Sequence, residues 1–418
     1  MRARARVLAK TAAVVAMVTG PLMLCGCGGG SGGLGQETSV DAAGLVSLSP
    51  SGRTVDPAAP VVVTAAHGQL TDVVVADAAG RRLAGAIAAD DRSWRSSAPL
   101  SAGELYTVRI SADNGAGGRG TTVQQFATRP APKTLTVKLT PGDKGVYGVG
   151  EPITATLSTP VHDQAARKAV ERGLTVDSTP SVQGGWYWVD DSTLHFRPRT
   201  FWPAHAVVSA AFAMPGLPVG SGLYAGAPSR TSFSTGDKVL AITDAGTDQL
   251  TFYRNDKVVN TLPITTGKPG FATRSGYKVV LERSPVVLMD STTIGIPAGS
   301  SESYHLVVRW DTRVTWSGEY LHAAPWSVGS QGVSNVSHGC TGMSTDDAHW
   351  FYDNVRPGDV VQVVNSGGHQ MEDFSNGFGD WNLSWSDWLK GSALGEPVDT
   401  GSATARTAGP TGYLRPQA

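Results

Sequence analysis

Ser337-His338-Gly339-Cys340-Thr341 is the stretch around which the rest of this chain is organised. Its thiol is the one cysteine outside the extreme N-terminus, where Cys25 and Cys27 lie. Gly339 leaves the backbone beside the thiol open to a close approach. A thiol becomes a nucleophile where a lowered pKa, a base and hydrogen-bond donors for an oxyanion come together. The stretch therefore predicts a cysteine nucleophile.

The residues that follow predict a helix whose positive end faces the thiol. Ser344 can cap this helix, and Asp347 lies three residues on, at the spacing of a capping box. Pro357-Gly358 stops the helical pattern. Because a helix N-terminus carries partial positive charge, the helix is expected to favour the thiolate of Cys340.

Two histidines, His322 and His338, are candidates for the base. His338 is only two residues from Cys340 and is poorly placed to swing onto the thiol. His322 lies on a separate predicted strand, where packing can hold it and let it approach from outside. The sequence therefore favours His322 as the base. It predicts the backbone N–H groups of Gly339 and Cys340 as oxyanion donors.

Two other interpretations of Cys340 stay open. One is a zinc site drawn from His322, His338, Cys340 and His349, although structural zinc sites usually combine several closely spaced Cys or His and one thiol is available here. The other is a buried, inert cysteine with satisfied histidine neighbours, which is the usual state of an isolated cysteine. The Ser-His-Gly context favours the reactive thiol, with no metal and no cofactor expected.

Length and composition limit the possible functions. A chain of 418 residues is too long for one compact core and indicates roughly two to four domains. A net charge of −1 with 17% charged residues argues against a nucleic-acid binder, which would carry a basic stripe. The high content of Gly, Thr, Ser and Val favours β-sandwiches over helix bundles.

Residues 1–27 resemble a lipoprotein signal peptide, with basic residues ahead of the apolar run from Thr11 to Leu24. Gly26 is the small residue that a bacterial lipobox places before its lipidated cysteine, here Cys27. An ordinary secretory signal with incidental cysteines is the alternative. Cleavage before Cys27 would leave Cys340 as an unpaired thiol in an exported protein.

The middle of the chain has the pattern of β-sandwiches. Residues 28–46 are Gly-rich and are predicted to be a flexible tether. Residues 47–131 and 132–236 alternate short β-type runs with turn residues, which predicts two immunoglobulin-like domains without a disulfide. The similar endings Phe126-Ala127-Thr128 and Phe233-Ser234-Thr235 indicate divergent repeats.

The C-terminal half has a different texture. Residues 237–367 are predicted to form a β-rich catalytic domain with one main helix, and 290–303 suits a mobile flap. Residues 368–418 are predicted to be a Trp-rich subdomain and tail, loosely packed beyond about Leu394. The expected fold class is mainly β, with two immunoglobulin-like sandwiches followed by this domain and an aromatic C-terminal subdomain.

His322, fourteen further residues and then Ser337-His338-Gly339-Cys340 resemble the signature of L,D-transpeptidases of the YkuD type. The resemblance extends to Met289-Asp290-Ser291, Tyr304, Ser317-Gly318 and the run from His322 to Trp326. It implies a peptidoglycan L,D-transpeptidase that needs no cofactor. Cys340 would take up a tetrapeptide stem as a thioester and release D-Ala. An amine of a neighbouring stem would then form a 3→3 cross-link.

The resemblance also implies roles for individual residues. His322 would deprotonate the thiol, and the Ala323 carbonyl would orient His322. The substrate-binding residues would be Tyr304, Ser317, Gly318, Met289, Trp326, Ser337, His338 and Gly342. The family is acylated by carbapenems. The sandwiches resemble spacers in the cell wall, and a lipid on Cys27 would hold the protein on the outer face of the cytoplasmic membrane.

One position departs from the family pattern. The family usually has Asn two residues after the cysteine, where this chain has Gly342. Gly342 is expected to widen the pocket, loosen the loop and alter substrate affinity and β-lactam reactivity.

Two alternative functions stay open for the chain. One is an L,D-carboxypeptidase, in which water resolves the acyl-enzyme. The other is a wall-binding lipoprotein whose catalytic domain has degenerated.

Overall fold

The computed structural model describes residues 38–401 and the backbone of residues 413–414. The predicted signal peptide, the lipidation site Cys27 and the tether up to residue 37 lie outside the described residues. The described chain is mainly β with short helices, which confirms the predicted fold class. None of the helices in this part of the chain is long and apolar enough to span a membrane.

Residues 38–128 form a sandwich of two sheets around one core. Its strands are β1 (Thr38–Ser39), β2 (Val46–Ser49), β3 (Thr54–Val55), β4 (Val62–Ala65), β5 (Gln69–Asp77), β6 (Arg82–Leu83), β7 (Gly85–Ile87), β8 (Ser93–Ser96), β9 (Leu105–Asp113) and β10 (Gly118–Thr128), with a 3-10 helix at Ala42–Gly44. The sheet orders are β1-β10-β9-β5-β6, with β3 beside β10, and β2-β4-β8-β7. Alternate residues of β9 are fully buried, which is the period of a strand with one face on a core.

The next region repeats this architecture with one added helix. Its elements are β11 (Lys133–Leu135), β12 (Val137–Thr140), β13 (Gly145–Tyr147), β14 (Ile153–Leu157), α1 (Gln164–Gly173), β15 (Leu174–Thr179), β16 (Gln183–Trp188), β17 (Thr193–Pro198), β18 (Val207–Phe212), β19 (Pro218–Gly220), β20 (Leu223–Ala225) and β21 (Ser229–Thr235). The sheets are β12-β14-β17-β16, β13-β21-β18-β15 and the small β11-β20-β19. Trp186, Phe196 and Trp202 fill the core.

The site-bearing region packs two further sheets together. Its elements are β22 (Val239–Asp244), β23 (Gln249–Arg254), β24 (Lys257–Pro263), β25 (Gly276–Val279), β26 (Glu282–Asp290), β27 (His305–Arg313), β28 (Tyr320–Ala323), β29 (Thr341–Met343), α2 (Thr345–Asn354) and β30 (Val360–Val364), with 3-10 helices at Ser291–Ile294 and Pro325–Ser330. The sheet orders are β24-β23-β22-β30-β25 and β26-β27-β28-β29. Phe252, Leu321 and Phe351 belong to their shared core.

The predicted helix start is confirmed at α2. The Ser344 hydroxyl accepts a hydrogen bond from the Asp347 N–H at 3.1 Å and donates one to the Asp347 carboxylate at 2.7 Å. The helix ends at Asn354, ahead of the Pro357-Gly358 pair. Strand β29 separates Cys340 from this helix, and this spacing matters for the thiol below.

The C-terminal segment closes back onto the second sandwich. It contains a 3-10 helix at Asp380–Asn382, α3 (Trp385–Lys390), β31 (Val398–Asp399) and β32 (Tyr413–Leu414). The expectation of loose packing after Leu394 is wrong for residues 398–400. Strand β31 pairs with β16, and Thr400 is buried with its hydroxyl donating to the Val182 carbonyl at 3.0 Å. Strand β32 pairs with β6.

Aromatic rings and one arginine tie this segment in place. Trp388 is fully buried, and its indole N–H donates to the Gly185 carbonyl of β16 at 2.9 Å. The Arg197 guanidinium of β17 lies 4.5 Å from the Trp388 ring centre and 5.0 Å from that of Trp381. The Trp381 indole donates to the Gly150 carbonyl at 2.9 Å. The second sandwich and the C-terminal segment therefore share one packed junction beside the site-bearing region.

Candidate active site

Strand pairing brings the two predicted reactive residues together. Strands β28 and β29 run parallel, with Leu321 opposite Thr341 and His322 opposite Gly342. Cys340 immediately precedes β29, so the same register places it beside Tyr320, two residues before His322. The thiol and the imidazole both line one cavity.

The Ala323 carbonyl fixes the tautomer of His322. The Nδ1 of His322 lies 2.8 Å from the Ala323 carbonyl oxygen. A carbonyl accepts only, so Nδ1 carries the proton and Nε2 is left as an acceptor. Burial lowers the pKa of the imidazole, and the bond to Ala323 opposes this shift. The ring is therefore held neutral, in the form that can take up a proton.

The thiol of Cys340 is also held neutral. Burial raises its pKa to about 12, and the negative charges of Glu319 and Asp311 act in the same direction. The sulfur donates to the Gly318 carbonyl at 3.6 Å, which requires the proton to be present. A lowered pKa was expected for this thiol, and the pKa is raised instead. Strand β29 separates Cys340 from α2, whose first turn is capped by Ser344.

The backbone around Gly339 is held by side-chain bonds. Gly339 has a φ of 120°, a conformation that glycine adopts readily. Its carbonyl accepts from the Thr273 hydroxyl at 2.8 Å, and its N–H donates to the Ser337 hydroxyl at 3.1 Å. The predicted role of Gly339 as an oxyanion donor therefore requires the bond to Ser337 to break when substrate binds.

The predicted substrate-binding residues divide between two cavities that both reach Cys340. The first cavity has a volume of 200 Å³ and is lined by residues that include Met289, His322, Trp326, Ser337 and Gly342. The second has a volume of 570 Å³ and includes Arg274, Ser317, Gly318, Glu319 and His369. Tyr304, His338 and Cys340 line both.

Two side chains lie where the two cavities meet. The rings of Tyr304 and His338 lie with their centres 5.2 Å apart between the two cavities. They leave Ser317 and Gly318 on one side and Met289 and Trp326 on the other.

Gly342 does not loosen the loop as expected. It lies in β29, donates its N–H to the Thr265 carbonyl at 2.8 Å and accepts from the Thr265 N–H at 3.0 Å. A Cβ at this position would lie 3.0 Å from both the Ala324 Cβ and the Thr265 Cγ2. The side chains of Ala324 and Thr265 already occupy the space beside Gly342, so the glycine does not simply widen the pocket.

A buried charge cluster of Arg274, Lys278 and Glu319 supports the second cavity, and the sequence analysis missed it. The Lys278 ammonium lies 2.5 Å from one carboxylate oxygen of Glu319, and Arg274 donates to the other at 3.2 Å from its side chain. Lys278 is fully buried. The signal in the sequence was a lysine inside the apolar strand pattern of Tyr277 to Val280.

Asp311 is a second buried acid that the sequence analysis missed. It is 1% exposed, and neither carboxylate oxygen has a hydrogen-bond partner among the described residues. Burial raises its pKa to about 7. The charge of Asp311 acts on the thiol of Cys340 and raises its pKa. A carboxyl in an otherwise apolar strand could have drawn attention to it.

His349 lies apart from the other zinc-site candidates. On α2 its ring stacks on Trp310 with centres 3.8 Å apart. Within residues 38–401, no group of three or more His, Cys, Asp or Glu side chains is arranged to hold a metal ion. His338 instead pairs with Glu302, whose carboxylate lies 2.6 Å from Nε2.

Comparison with known proteins agrees with this geometry. Residues 238–363 match the L,D-transpeptidase catalytic domain family YkuD, and residues 52–218 match a bacterial Ig domain family. The chain is 38% identical over 343 residues to L,D-transpeptidase 2 of Mycobacterium tuberculosis (strain CDC 1551 / Oshkosh), covering 82% of each chain. It is 30% identical over 396 residues to L,D-transpeptidase 5 of M. tuberculosis (strain ATCC 25618 / H37Rv), covering 93% of this chain and 85% of that one.

A solved structure, LD transpeptidase LdtMt1 in complex with imipenem, has 37% sequence identity to this chain and a TM-score of 0.48. The alignment covers 56% of this chain and 99% of the solved chain. The identity to L,D-transpeptidase 2 over most of both chains decides the family. This chain belongs to the L,D-transpeptidases, the transferases that cross-link peptidoglycan.

Proposed function

We propose that Cys340 is the nucleophile of this enzyme and His322 its base. The sulfur passes its proton to His322 as it attacks the carbonyl carbon of the bond that joins the third residue of a tetrapeptide stem to its terminal D-Ala. The C–N bond breaks, His322 returns the proton to the leaving amine, and D-Ala departs. The amine of a second stem then attacks the thioester, forms the 3→3 amide and frees the thiol.

The tautomer of His322 carries this proposal. Its Nδ1–H is anchored on the Ala323 carbonyl, which leaves Nε2 free to accept a proton in the cavity that holds Cys340. Since the thiol also rests protonated, the proton moves as the sulfur attacks and no thiolate–imidazolium pair accumulates beforehand. Substrate positioning next to the sulfur is therefore the step that starts catalysis.

The division into two cavities supports a peptide as acceptor over water. We assign the donor stem to the first cavity, whose walls include Met289 and Trp326. The second cavity is larger, at 570 Å³, and opens on the other side of Cys340. A water molecule would need no cavity of that size, whereas an amine on a peptide stem would.

One assay tests the reaction and both alternatives. The enzyme is incubated with a disaccharide tetrapeptide, and the products are followed by mass spectrometry. A dimer lacking one D-Ala is expected. A tripeptide product alone would indicate a carboxypeptidase. Wild type that does no more than Cys340→Ala would indicate a wall-binding protein without activity.

We also propose that carbapenems acylate Cys340, as the family resemblance implies. The strained lactam carbonyl would enter the same attack geometry as the peptide carbonyl. Intact-protein mass spectrometry should show one imipenem adduct on wild type, and peptide mapping should place it on Cys340. Cys340→Ser gives the control, and an adduct that survives this change would place the reaction elsewhere.

The membrane anchor is a separate proposal. The Leu24-Cys25-Gly26-Cys27 sequence supports lipidation of Cys27, with the two sandwiches as spacers that hold the catalytic domain out in the wall from the outer face of the cytoplasmic membrane. Cys27→Ala should move the protein from the membrane fraction to the soluble fraction, with Cys25→Ala as the matched control. Unchanged membrane association of Cys27→Ala would contradict the anchor.

A further inference from the structure

Glu302 is the single charged residue from Ser291 to Ser303, in the segment that connects β26 and β27 next to the site. We call β26, β27 and residues 291–304 between them the flap hairpin. One carboxylate oxygen of Glu302 lies 2.6 Å from His338 Nε2 and 2.5 Å from Lys268 Nζ. Its side chain is 37% exposed, so these contacts lie at the mouth of the site.

His338 is held from three directions. The Phe271 ring meets it edge-on with centres 4.8 Å apart, and the Tyr304 ring lies 5.2 Å away. The carboxylate of Glu302 holds the ring from the third direction by accepting a hydrogen bond from the Nε2–H. The His338 side chain lines both cavities and lies two residues from Cys340, so its orientation shapes the space on each side of the thiol.

A backbone hydrogen bond already joins the segments that carry Lys268 and His338 into one unit. The Lys268 N–H donates to the Ser337 carbonyl at 2.9 Å, and the Lys268 ammonium lies 5.4 Å from the Phe271 ring centre. These contacts do not involve the flap hairpin. From the flap hairpin, Glu302 adds a carboxylate oxygen that contacts both Lys268 and His338.

We propose that Glu302 is a positioning residue that couples closure of the flap hairpin to alignment of the residues around Cys340, by holding the His338 ring. This inference rests on the proposed role of Cys340 as the nucleophile. Without the carboxylate, the flap hairpin keeps only the ring contact of Tyr304 with His338, and the His338 ring loses the hydrogen bond that fixes its orientation between the two cavities. Acylation slows because fewer encounters present the carbonyl to the sulfur in a productive geometry.

A double-mutant cycle tests the coupling in the full chain. Acylation of Cys340 by imipenem is timed for wild type, Glu302→Gln, His338→Asn and the double variant. Each single change is expected to slow acylation at least about tenfold, and the double variant should be no slower than the slower single variant. Lys268→Met should cost clearly less, because it leaves the Glu302–His338 bond in place.

Matched controls separate positioning from loss of fold. Glu282→Gln removes an exposed partner of Arg313 at the opposite end of β26 from the connecting loop, and should acylate as wild type does. Melting temperatures should be unchanged across the set. Wild-type rates in Glu302→Gln, or a double variant slowed by the product of the two single effects, would overturn the proposal.

A second readout does not depend on the chemistry. Amide hydrogen exchange should rise in residues 291–304 and 335–340 of Glu302→Gln, but not of Glu282→Gln. Faster exchange in the hairpin alone would overturn the coupling. Wild type that carries no adduct on Cys340 would overturn the proposed function, while the exchange measurement would still report on closure.

Discussion

Cys340 and His322 are both neutral in the resting protein, and the surroundings of each side chain explain why. The thiol donates to the Gly318 carbonyl, and the imidazole donates through Nδ1 to Ala323. A neutral thiol is a weak nucleophile and resists unspecific modification until a substrate brings its carbonyl next to the sulfur. The resting thiol is therefore expected to react slowly with reagents from solvent and faster with a bound peptide.

The raised thiol pKa predicts slow alkylation at neutral pH. A raised pKa means less thiolate at any given pH than an ordinary thiol has, so iodoacetamide should modify Cys340 slowly at pH 7. The rate should keep rising beyond pH 10, toward the pKa of about 12. A free thiol such as glutathione is the reference in a rate profile followed by mass spectrometry. An inflection below pH 9 would contradict the neutral resting thiol.

Replacing Gly342 by the asparagine that the family usually has should destabilise the protein. In Gly342→Asn the new Cβ would lie 3.0 Å from Thr265 Cγ2 and from Ala324 Cβ. Overpacking of this kind costs about 1–3 kcal/mol, so the variant should melt lower and acylate more slowly. Thiol reactivity and urea unfolding measure the two effects.

Thr265→Ser supplies the matched background for that variant. It removes the methyl group but keeps the hydroxyl that donates to the Ser334 carbonyl and accepts from the Val336 N–H. Part of the lost stability should return when Gly342→Asn is made in Thr265→Ser. No recovery would show that crowding against Thr265 is not the cause.

At the residue scale, the sequence motif predicted only those features of the site that local chemistry decides. The spacing from His322 to Cys340 and the glycine beside the thiol could be understood from sequence, because strand pairing brings such neighbours together. The ionisation state of Cys340 could not, because it depends on burial and on Glu319 and Asp311, which come from other segments. Glu302 was missed for the same reason, since its partners lie more than thirty residues away.

At the scale of elements, the charge cluster joins the two sheets of the site-bearing region. Lys278 belongs to β25 of one sheet, and Glu319 immediately precedes β28 of the other. Their ion pair is buried, so each partner depends on the other to offset the cost of leaving water. The pair therefore sets where β28, and with it His322, lies against the neighbouring sheet.

Removing one partner of this pair should destabilise the protein more than removing both. Lys278→Met leaves the Glu319 carboxylate facing an apolar group and should cost roughly 3–5 kcal/mol in unfolding free energy. Adding Glu319→Gln to Lys278→Met should recover much of this loss. Urea denaturation of the three variants decides the point. A double variant less stable than Lys278→Met would mean that the bonds from Glu319 to Arg274 matter more than the pair itself.

Element boundaries followed the sequence where capping and alternation decide them. Ser344 and Asp347 marked the start of α2, and the alternating pattern marked β9. The short strand β31 carries no such pattern, because its position is decided by pairing with β16. A two-residue strand that exists through a distant partner cannot be found in local sequence.

At the scale of the whole molecule, the junction between the second sandwich and the C-terminal segment is built on buried charge as well as aromatic rings. Glu151 is 7% exposed, and burial, aided by the charge of Asp380, raises its pKa to about 8. Asp380 is fully buried and lies 2.7 Å from His195 Nδ1. The junction therefore holds an acid that is protonated at neutral pH.

This acid predicts a loss of stability as pH rises. The folded pKa of about 8 lies above the ordinary value of 4.5, so the folded state keeps a proton that the unfolded state releases. The resulting stability is complete below pH 4.5 and is lost as the pH rises through 8. Glu151→Gln should be more stable than wild type at pH 9, by a margin on the order of 5 kcal/mol, and about equal at pH 4.

Melting temperature recorded from pH 4 to pH 9 measures this difference. Glu104→Gln offers a comparison, because Glu104 immediately precedes β9 in the first sandwich, away from the junction. Parallel curves for wild type and Glu151→Gln would contradict a protonated Glu151.

The aromatic C-terminal segment also sets an order of events in assembly. Trp381, Trp388 and the strand that pairs with β16 follow the catalytic region in the chain, so they are synthesised well after the second sandwich on which they pack. Until they are made, Arg197 and the outer edge of β16 stay uncovered. The second sandwich therefore reaches its final packing only after synthesis has passed β31.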